Sequence, residues 1–399
     1  MIDVSYLYCG KASASVPHRY GEKVSCPECD KDETYPVSRA ASLRRPIVVW
    51  NITKTCNLRC RHCYTDSGAG SYAGELRTEE ALKVIEDLAF FEVPAVLFSG
   101  GEPLLRKDLF GLADSARARG IRTILSTNGS LISSEVAEKI RSAGFSYVGV
   151  SLDGLAAAHD RFRGVGGAFD QTLSGIRRLI AVGQKTGLRL TMTDSTMDQV
   201  DVIFDLIEKE GIRRVCFYHL VPSGRGKEIF CVKPGRIREK VDLIFERTET
   251  LLRKGYPVEV LTVDHHADGP YLYLKLKGKG DPRAEEVYRH LAWNGGGANS
   301  SGVGIACIDA EGDVHPDQFW SHYSLGSVRE RKFGEIWSNP DEPLLEKLRH
   351  RRDFIRGRCE ACRFFEACGG SLRVRAEIAT GDVWASDPAC YLTDEEIGL

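Results

Sequence analysis

The sequence predicts an α/β protein built on a parallel sheet, and three observations carry that expectation. Apolar runs of strand length alternate with amphipathic helical stretches from residue 46 to about 220. Four glycines, Gly120, Gly144, Gly187 and Gly211, stand where helices would close. Each chemically distinctive motif falls directly after an apolar run, at the carboxyl end of an expected strand, where parallel barrels place their chemistry.

The expected strands are Ile47–Asn51, Ala95–Ser99, Thr123–Ser126, Tyr147–Ser151, Arg189–Thr193 and Val215–His219. Between them, Thr78 is a good N-cap for the stretch Thr78–Leu88. Further helices are expected over Leu109–Arg119, Ser134–Ala143, Thr172–Val182 and Val200–Glu210. Six such units are too few for a closed eight-stranded barrel. Residues 1–45 show no strand–helix rhythm and form an expected irregular segment. Residues 226–300 read as a connecting region, with a helix near Ile237–Lys254 and a strand Pro257–Val263. The polar run Asp264–Pro270 and the glycine-rich stretch Trp293–Gly302 also lie there. The latter lacks the Lys-Ser/Thr of a phosphate loop and reads as a turn beside a bulky ligand.

Composition excludes several classes. Of 399 residues, 42% are hydrophobic and 28% charged, with a net charge of −2. That balance gives no reason to expect nucleic acid or an anionic membrane as partner. No apolar run approaches ~20 residues, and Met1 to Ser5 lacks a signal-peptide pattern, so a cytoplasmic location is expected. Thirteen cysteines in such a chain point to metal ligation rather than disulfides.

Cys56, Cys60 and Cys63 follow the first expected strand at a Cys-x-x-x-Cys-x-x-Cys spacing. An iron–sulfur cubane wants four thiolates, and this loop offers three, leaving one iron open to a substrate or cofactor. A zinc fragment completed elsewhere, for instance by His62, is the alternative. Near the other end, Cys359, Cys362, Cys368 and Cys390 supply four thiols, which suit either zinc or a closed [4Fe–4S] cluster. Cys9, Cys26 and Cys29, with His18, fit either a small zinc knuckle or an irregular lid with free thiols. Cys216, Cys231 and Cys307 read as buried thiols.

The three-cysteine loop resembles the core motif of the radical S-adenosylmethionine (SAM) superfamily. So does Gly100-Gly101-Glu102-Pro103, which in that family holds the methionine amino group of SAM. Ser126, Asn128 and Asp153 match ribose-contacting positions, and Arg163 is a candidate for the SAM carboxylate or for a surface ion pair. One departure is His62, where an aromatic residue usually precedes the third cysteine. The resemblance implies an open (β/α)6 TIM-like partial barrel over 46–225 and a C-terminal SPASM iron–sulfur domain over 301–399. It also implies SAM, one SAM-binding [4Fe–4S] cluster and an auxiliary one, and an electron donor such as ferredoxin or flavodoxin. Leu372 and Asp317 stand where a full SPASM domain has cysteines, so one auxiliary cluster is expected rather than two.

Several stretches resemble the tetrapyrrole-modifying branch of the superfamily, among them Tyr218–Gly226, Val314–Trp320 and Cys368–Arg375. That likeness implies an iron-tetrapyrrole substrate, and within the branch removal of the acetate arms of 12,18-didecarboxysirohaem to give iron-coproporphyrin III. Propionate decarboxylation, haem d1 synthesis, a peptide-modifying SPASM enzyme or a non-catalytic iron–sulfur or zinc scaffold are the alternatives. A substrate with several carboxylates needs cationic clamps, for which Arg225, Lys227, Arg373 and Arg375 are candidates. Tyr218 and His219 are placed at the barrel mouth. Macrocycle iron could meet His219, His265 or His315, though each could equally be structural.

Overall fold

In the computed structural model, described over residues 1–11, 45–230, 233–293 and 301–399, one sheet organises the chain. Its strands are β1 (Ile2–Asp3), β2 (Ile47–Asn51), β3 (Ala95–Ser99), β4 (Arg122–Thr127), β5 (Tyr147–Ser151) and β6 (Thr186–Met192). They continue with β7 (Arg214–His219), β8 (Glu259–Val263), β9 (Ile305–Ile308), β10 (Asp313–His315) and β11 (Gly326–Ser327). The spatial order is β1-β8-β7-β6-β5-β4-β3-β2-β9-β10-β11. Every pairing from β8 across to β9 is parallel, while β1, β10 and β11 join antiparallel.

The six expected strands are all present, in sequence order, with the sheet extended at both edges. β8 from the connecting region pairs with β7, and β9 from the C-terminal region pairs with β2. The first residues are not irregular: Ile2 and Asp3 pair with Thr262 and Leu261. A two-residue strand leaves no periodic signal, which is why the sequence shows no rhythm there. Gly187 is not a helix stop but a strand residue opposite Gly149. The preceding helix, Ala168–Ala181, ends instead at Gly183, in the left-handed region at φ 71°. The helices Ala156–Arg163, Asp268–Gly278 and Ala284–Trp293 are among those the sequence did not make legible.

Strand alternation sorts the two faces. Trp50, Phe98, Leu125, Val148, Val150, Leu188 and Leu190 are fully buried and belong to the main core. Their neighbours Asn51, Ser99, Ser126, Ser151, Arg189, Thr191 and Tyr218 occupy the opposite face, the inner face of the curved sheet. That inner face is polar and mostly half-buried, unlike a packed core. Among the described residues, no helix is long and apolar enough to cross a membrane.

Candidate functional site

The loop after β2 carries Cys56, Cys60 and Cys63, which pack into one cluster with Leu58 and Ala168. It is pinned from three sides. Gly101 N–H donates to the carbonyl of Thr53 at 2.6 Å, and Glu102 N–H to that of Thr55 at 2.9 Å. A Cβ on Gly101 would stand 2.3 Å from the Thr55 oxygen, so only glycine permits this approach. Arg59 and Arg61 donate their N–H groups to the carbonyls of Arg163 and Phe162, each at 3.0 Å. From the turn that follows β7, Arg225 reaches the carbonyls of Cys60 and Ser67, both at 2.9 Å.

The thiols fit a soft cluster. Each sulfur accepts hydrogen bonds: Cys56 from Leu58 N–H at 3.4 Å, Cys60 from Arg163 Nη1 at 3.4 Å, and Cys63 from Ser67 N–H at 3.4 Å. Burial pushes the Cys56 thiol up to about 12 and raises that of Cys60. Such thiols surrender protons to a metal rather than to water, and the N–H donors then stabilise the thiolates. Three thiols on one loop, with donors already aimed at the sulfurs, are the right set for a cluster that keeps one iron free. The ring of His62 is stacked on Phe162, with centroids 4.5 Å apart.

Behind the loop, Glu102 is fully buried and accepts from Thr127 Oγ1 and Asn128 N–H at 2.8 Å, and from Leu104 N–H at 3.2 Å. A carboxylate has room for about one acceptor contact more. Burial raises its pKa despite those bonds. Asp153 is buried against Arg163, 2.5 Å from its Nη2, and accepts from Thr191 N–H. Asn128 donates to Asn57 at 2.9 Å, and Ser126 accepts from Arg189 Nη1 at 2.6 Å. Cys56, Cys60, Cys63, Glu102, Asn128, Asp153 and Arg163 are thus linked into one neighbourhood at the carboxyl ends of β2–β5.

The second thiol set is likewise gathered. Cys359, Cys362, Cys368 and Cys390 line a single cavity with Arg358, Phe365 and Asp387. Cys390 accepts from Arg358 Nη1 at 3.3 Å and Cys362 from Phe364 N–H at 3.4 Å. Among the described residues, no three Cys, His, Asp or Glu side chains converge on a single-ion site. Four thiols around a cavity instead suit a cubane, which holds its ligands further apart than one zinc ion does. The two positions lacking cysteine are occupied otherwise. Leu372 packs with Trp320 and Val374, while Asp317 accepts from Ser301 Oγ at 2.5 Å and Phe319 N–H at 2.7 Å. Cys9 lies against the barrel core, and burial pushes its thiol up to about 12. Cys26, Cys29, His18, Cys231 and the glycine-rich residues 294–300 lie outside the described residues.

Several expected substrate groups are engaged within the chain. Arg225 braces the cysteine loop, so it is not a free clamp. Arg373 donates to the carbonyls of Gly370, Val383 and Ala385. Arg375 is paired with Asp387 at 2.7 Å, fully buried; Lys227 is exposed. His219 does not face the mouth: its Nε2 lies 2.9 Å from Asp268 Oδ2, and strand alternation leaves only Tyr218 on the inner face. Asp268 also accepts from Tyr391 at 2.6 Å. His265 Nε2 meets the Ala389 carbonyl at 2.7 Å, and His315 Nδ1 that of Tyr323 at 2.8 Å. Arg189 went unmarked in the sequence, although an arginine alternating with buried leucines in a strand is itself a signal of an inward charge.

Residues 50–207 match the radical SAM superfamily and residues 301–363 an iron–sulfur cluster-binding domain of SPASM type. The chain is 48% identical to Fe-coproporphyrin III synthase of Methanosarcina barkeri, covering 100% of this chain and 99% of that one. It is 44% identical to pre-heme d1 synthase of Dinoroseobacter shibae, over 91% of this chain and 90% of that one. Its fold resembles the crystal structure of Streptococcus suis SuiB, with TM-score 0.69 at 18% identity, over 88% of this chain and 78% of the other.

Proposed function

The chain belongs to the radical SAM superfamily and carries a SPASM iron–sulfur domain, and on that premise we propose that it works on an iron tetrapyrrole in haem biosynthesis. The reaction we assign is removal of the two acetate arms of 12,18-didecarboxysirohaem to give iron-coproporphyrin III. The observation that carries it is the 48% identity to Fe-coproporphyrin III synthase along the whole chain. The similarity to pre-heme d1 synthase supports haem d1 synthesis as a second reading. A cytoplasmic setting with ferredoxin or flavodoxin as electron donor fits either.

Cys56, Cys60 and Cys63 would hold the SAM-binding [4Fe–4S] cluster, and Cys359, Cys362, Cys368 and Cys390 the auxiliary one. When bound, the first cluster and SAM supply reductive cleavage of a sulfur–carbon bond and the hydrogen-abstracting radical that results. The chain's own residues position and exclude. Backbone groups of Gly100, Gly101 and Pro103 shape the pocket for the methionine end of SAM, and the last acceptor position of Glu102 takes its ammonium. Ser126, Asn128 and Asp153 face the ribose side. Arg163, whose Nε has no acceptor, takes the carboxylate while its other nitrogens hold Asp153 and Cys60. Tyr218 lines the substrate side of the inner face.

The test is anaerobic incubation of reconstituted protein with didecarboxysirohaem, SAM and reductant, followed by mass analysis of the macrocycle. Loss of both acetate arms is expected. An untouched macrocycle accompanied by 5′-deoxyadenosine would remove this substrate, and conversion of propionates would favour the second reading.

A further inference from the structure

We infer that Arg189, on the inner face of the barrel, receives a carboxylate of the tetrapyrrole substrate and fixes the macrocycle's orientation there. The inference rests on the tetrapyrrole reading above and names the residue that would implement it.

Arg189 sits in β6 between Leu188 and Leu190, both fully buried in the core on the other face. Its side chain therefore lies inside the curved sheet, in register with Ser151 of β5 and Cys216 of β7. It runs sideways across β5 to reach β4, where Nη1 donates to Ser126 Oγ at 2.6 Å. The crossing is made at Gly149, where a Cβ would stand 2.1 Å from Arg189 Nε. Any other residue at 149 would push the guanidinium away. Tyr147 flanks it, with the ring centroid 5.9 Å away.

What marks Arg189 is that, among the described residues, it has neither a carboxylate nor a backbone carbonyl as partner. Its Nε is buried without an acceptor. A neutral serine hydroxyl is the acceptor it has. The other inward arginines have a carboxylate or carbonyl partners, although Nε of Arg163, Arg214 and Arg373 likewise lacks an acceptor. Arg214, its neighbour, pairs with Glu259 at 3.2 Å, Arg163 with Asp153 and Arg375 with Asp387. Arg351 and Arg373 lean on backbone carbonyls. A guanidinium offers five N–H donors, and leaving its Nε buried without an acceptor is costly. Such a cost is expected where a ligand supplies the missing anion. The side chain is half-buried, and Ser126, Ser151, Thr191 and Tyr218 carry hydroxyls on the same face of the sheet, so a carboxylate arriving there meets further donors. Its contact Ser126 is also an expected SAM neighbour, which would place the captured carboxylate arm beside the reacting end of SAM.

The experiment titrates the cluster-loaded protein with iron-coproporphyrin III and, separately, with its tetramethyl ester, following the Soret band. Wild type is expected to prefer the free acid. Arg189→Met should weaken binding of the acid by ~10- to 100-fold, the loss of a charge-assisted pair, and abolish the preference over the ester. Arg189→Lys should restore part of both. Gly149→Ala keeps the charge but displaces it, and should fall between. Near-ultraviolet circular dichroism and iron content identify any variant that has lost its fold, and Gly149→Ala and Arg189→Lys then carry the comparison. Unchanged acid-over-ester preference in folded Arg189→Met overturns the inference while leaving the proposed reaction standing. Weakened SAM binding with unaltered porphyrin binding overturns it in favour of a SAM contact. Wild type that binds no iron tetrapyrrole, yet cleaves SAM, overturns the substrate reading and this inference with it.

Discussion

Arg225 and Cys60 are joined across the barrel mouth: the guanidinium Nε donates to the cysteine's carbonyl oxygen at 2.9 Å. The same side chain holds Ser67, so one arginine from the loop after β7 ties together two points of the turn that presents the first three thiols. Arg225→Leu removes both bonds, each contributing about 1 kcal/mol. The variant is expected to retain less iron at the three-cysteine site while the four-cysteine site fills normally. Iron and sulfide content with electron paramagnetic resonance of the reduced protein would show this. Full loading of both clusters would refute the bracing role.

Asp268 is the hub of a buried network tying β7 to the C-terminal region. Burial alone would raise its pKa, but the rings of His219 and His265 and the bond from His219 hold it below the usual carboxylate range. Asp268→Leu strips the charge partner from His219 and the acceptor from Tyr391, which should cost about 3–5 kcal/mol. Tyr391→Phe loses one hydrogen bond, about 1 kcal/mol. Anaerobic thermal melts should rank wild type above Tyr391→Phe and that above Asp268→Leu. Equal melting temperatures would contradict the network's contribution.

Asp317 gives a pH signature. Burial raises its pKa from 3.8 to about 6, against the bonds from Ser301 and Phe319. The folded state therefore binds its proton more tightly than the unfolded chain does. The associated stability is present below about pH 4 and is lost as pH climbs to 6 and beyond. Asp317→Asn keeps a neutral side chain at every pH. It should gain on wild type progressively between pH 4 and 7, by up to about 3 kcal/mol at neutral pH. Melting curves recorded across that range test it, and parallel curves for the two proteins would count against it.

The parallel strands were legible because each is a short apolar run with a turn signal behind it. Their carboxyl ends were legible because thiols, glycines and amides cluster there in the sequence. The helix Asp268–Gly278 was not, since its first turn holds Gly269 and Pro270 and residues 268–273 are buried in an unbroken run, which leaves no amphipathic period. His265, His266 and Asp268 read only as part of a polar run, with His265 a candidate iron ligand or structural histidine, until their partners, Ala389, Ser371 and His219, are known. The same reason defeated the choice of clamps. Whether an arginine is spent internally, as Arg225, Arg373 and Arg375 are, depends on residues tens to hundreds of positions away. The thiol sets suffered less, because their spacing within the chain already limits where the sulfurs can lie.

The pairing of β2 with β9 has a consequence for biogenesis. Val48 lies beside Ala306 although 258 positions separate them, so the strand that launches the first thiol loop gains its second neighbour only after residue 308 has left the ribosome. Until then that loop is flanked on one side alone. An oxidant present during synthesis therefore meets the three sulfurs before their shelter is complete.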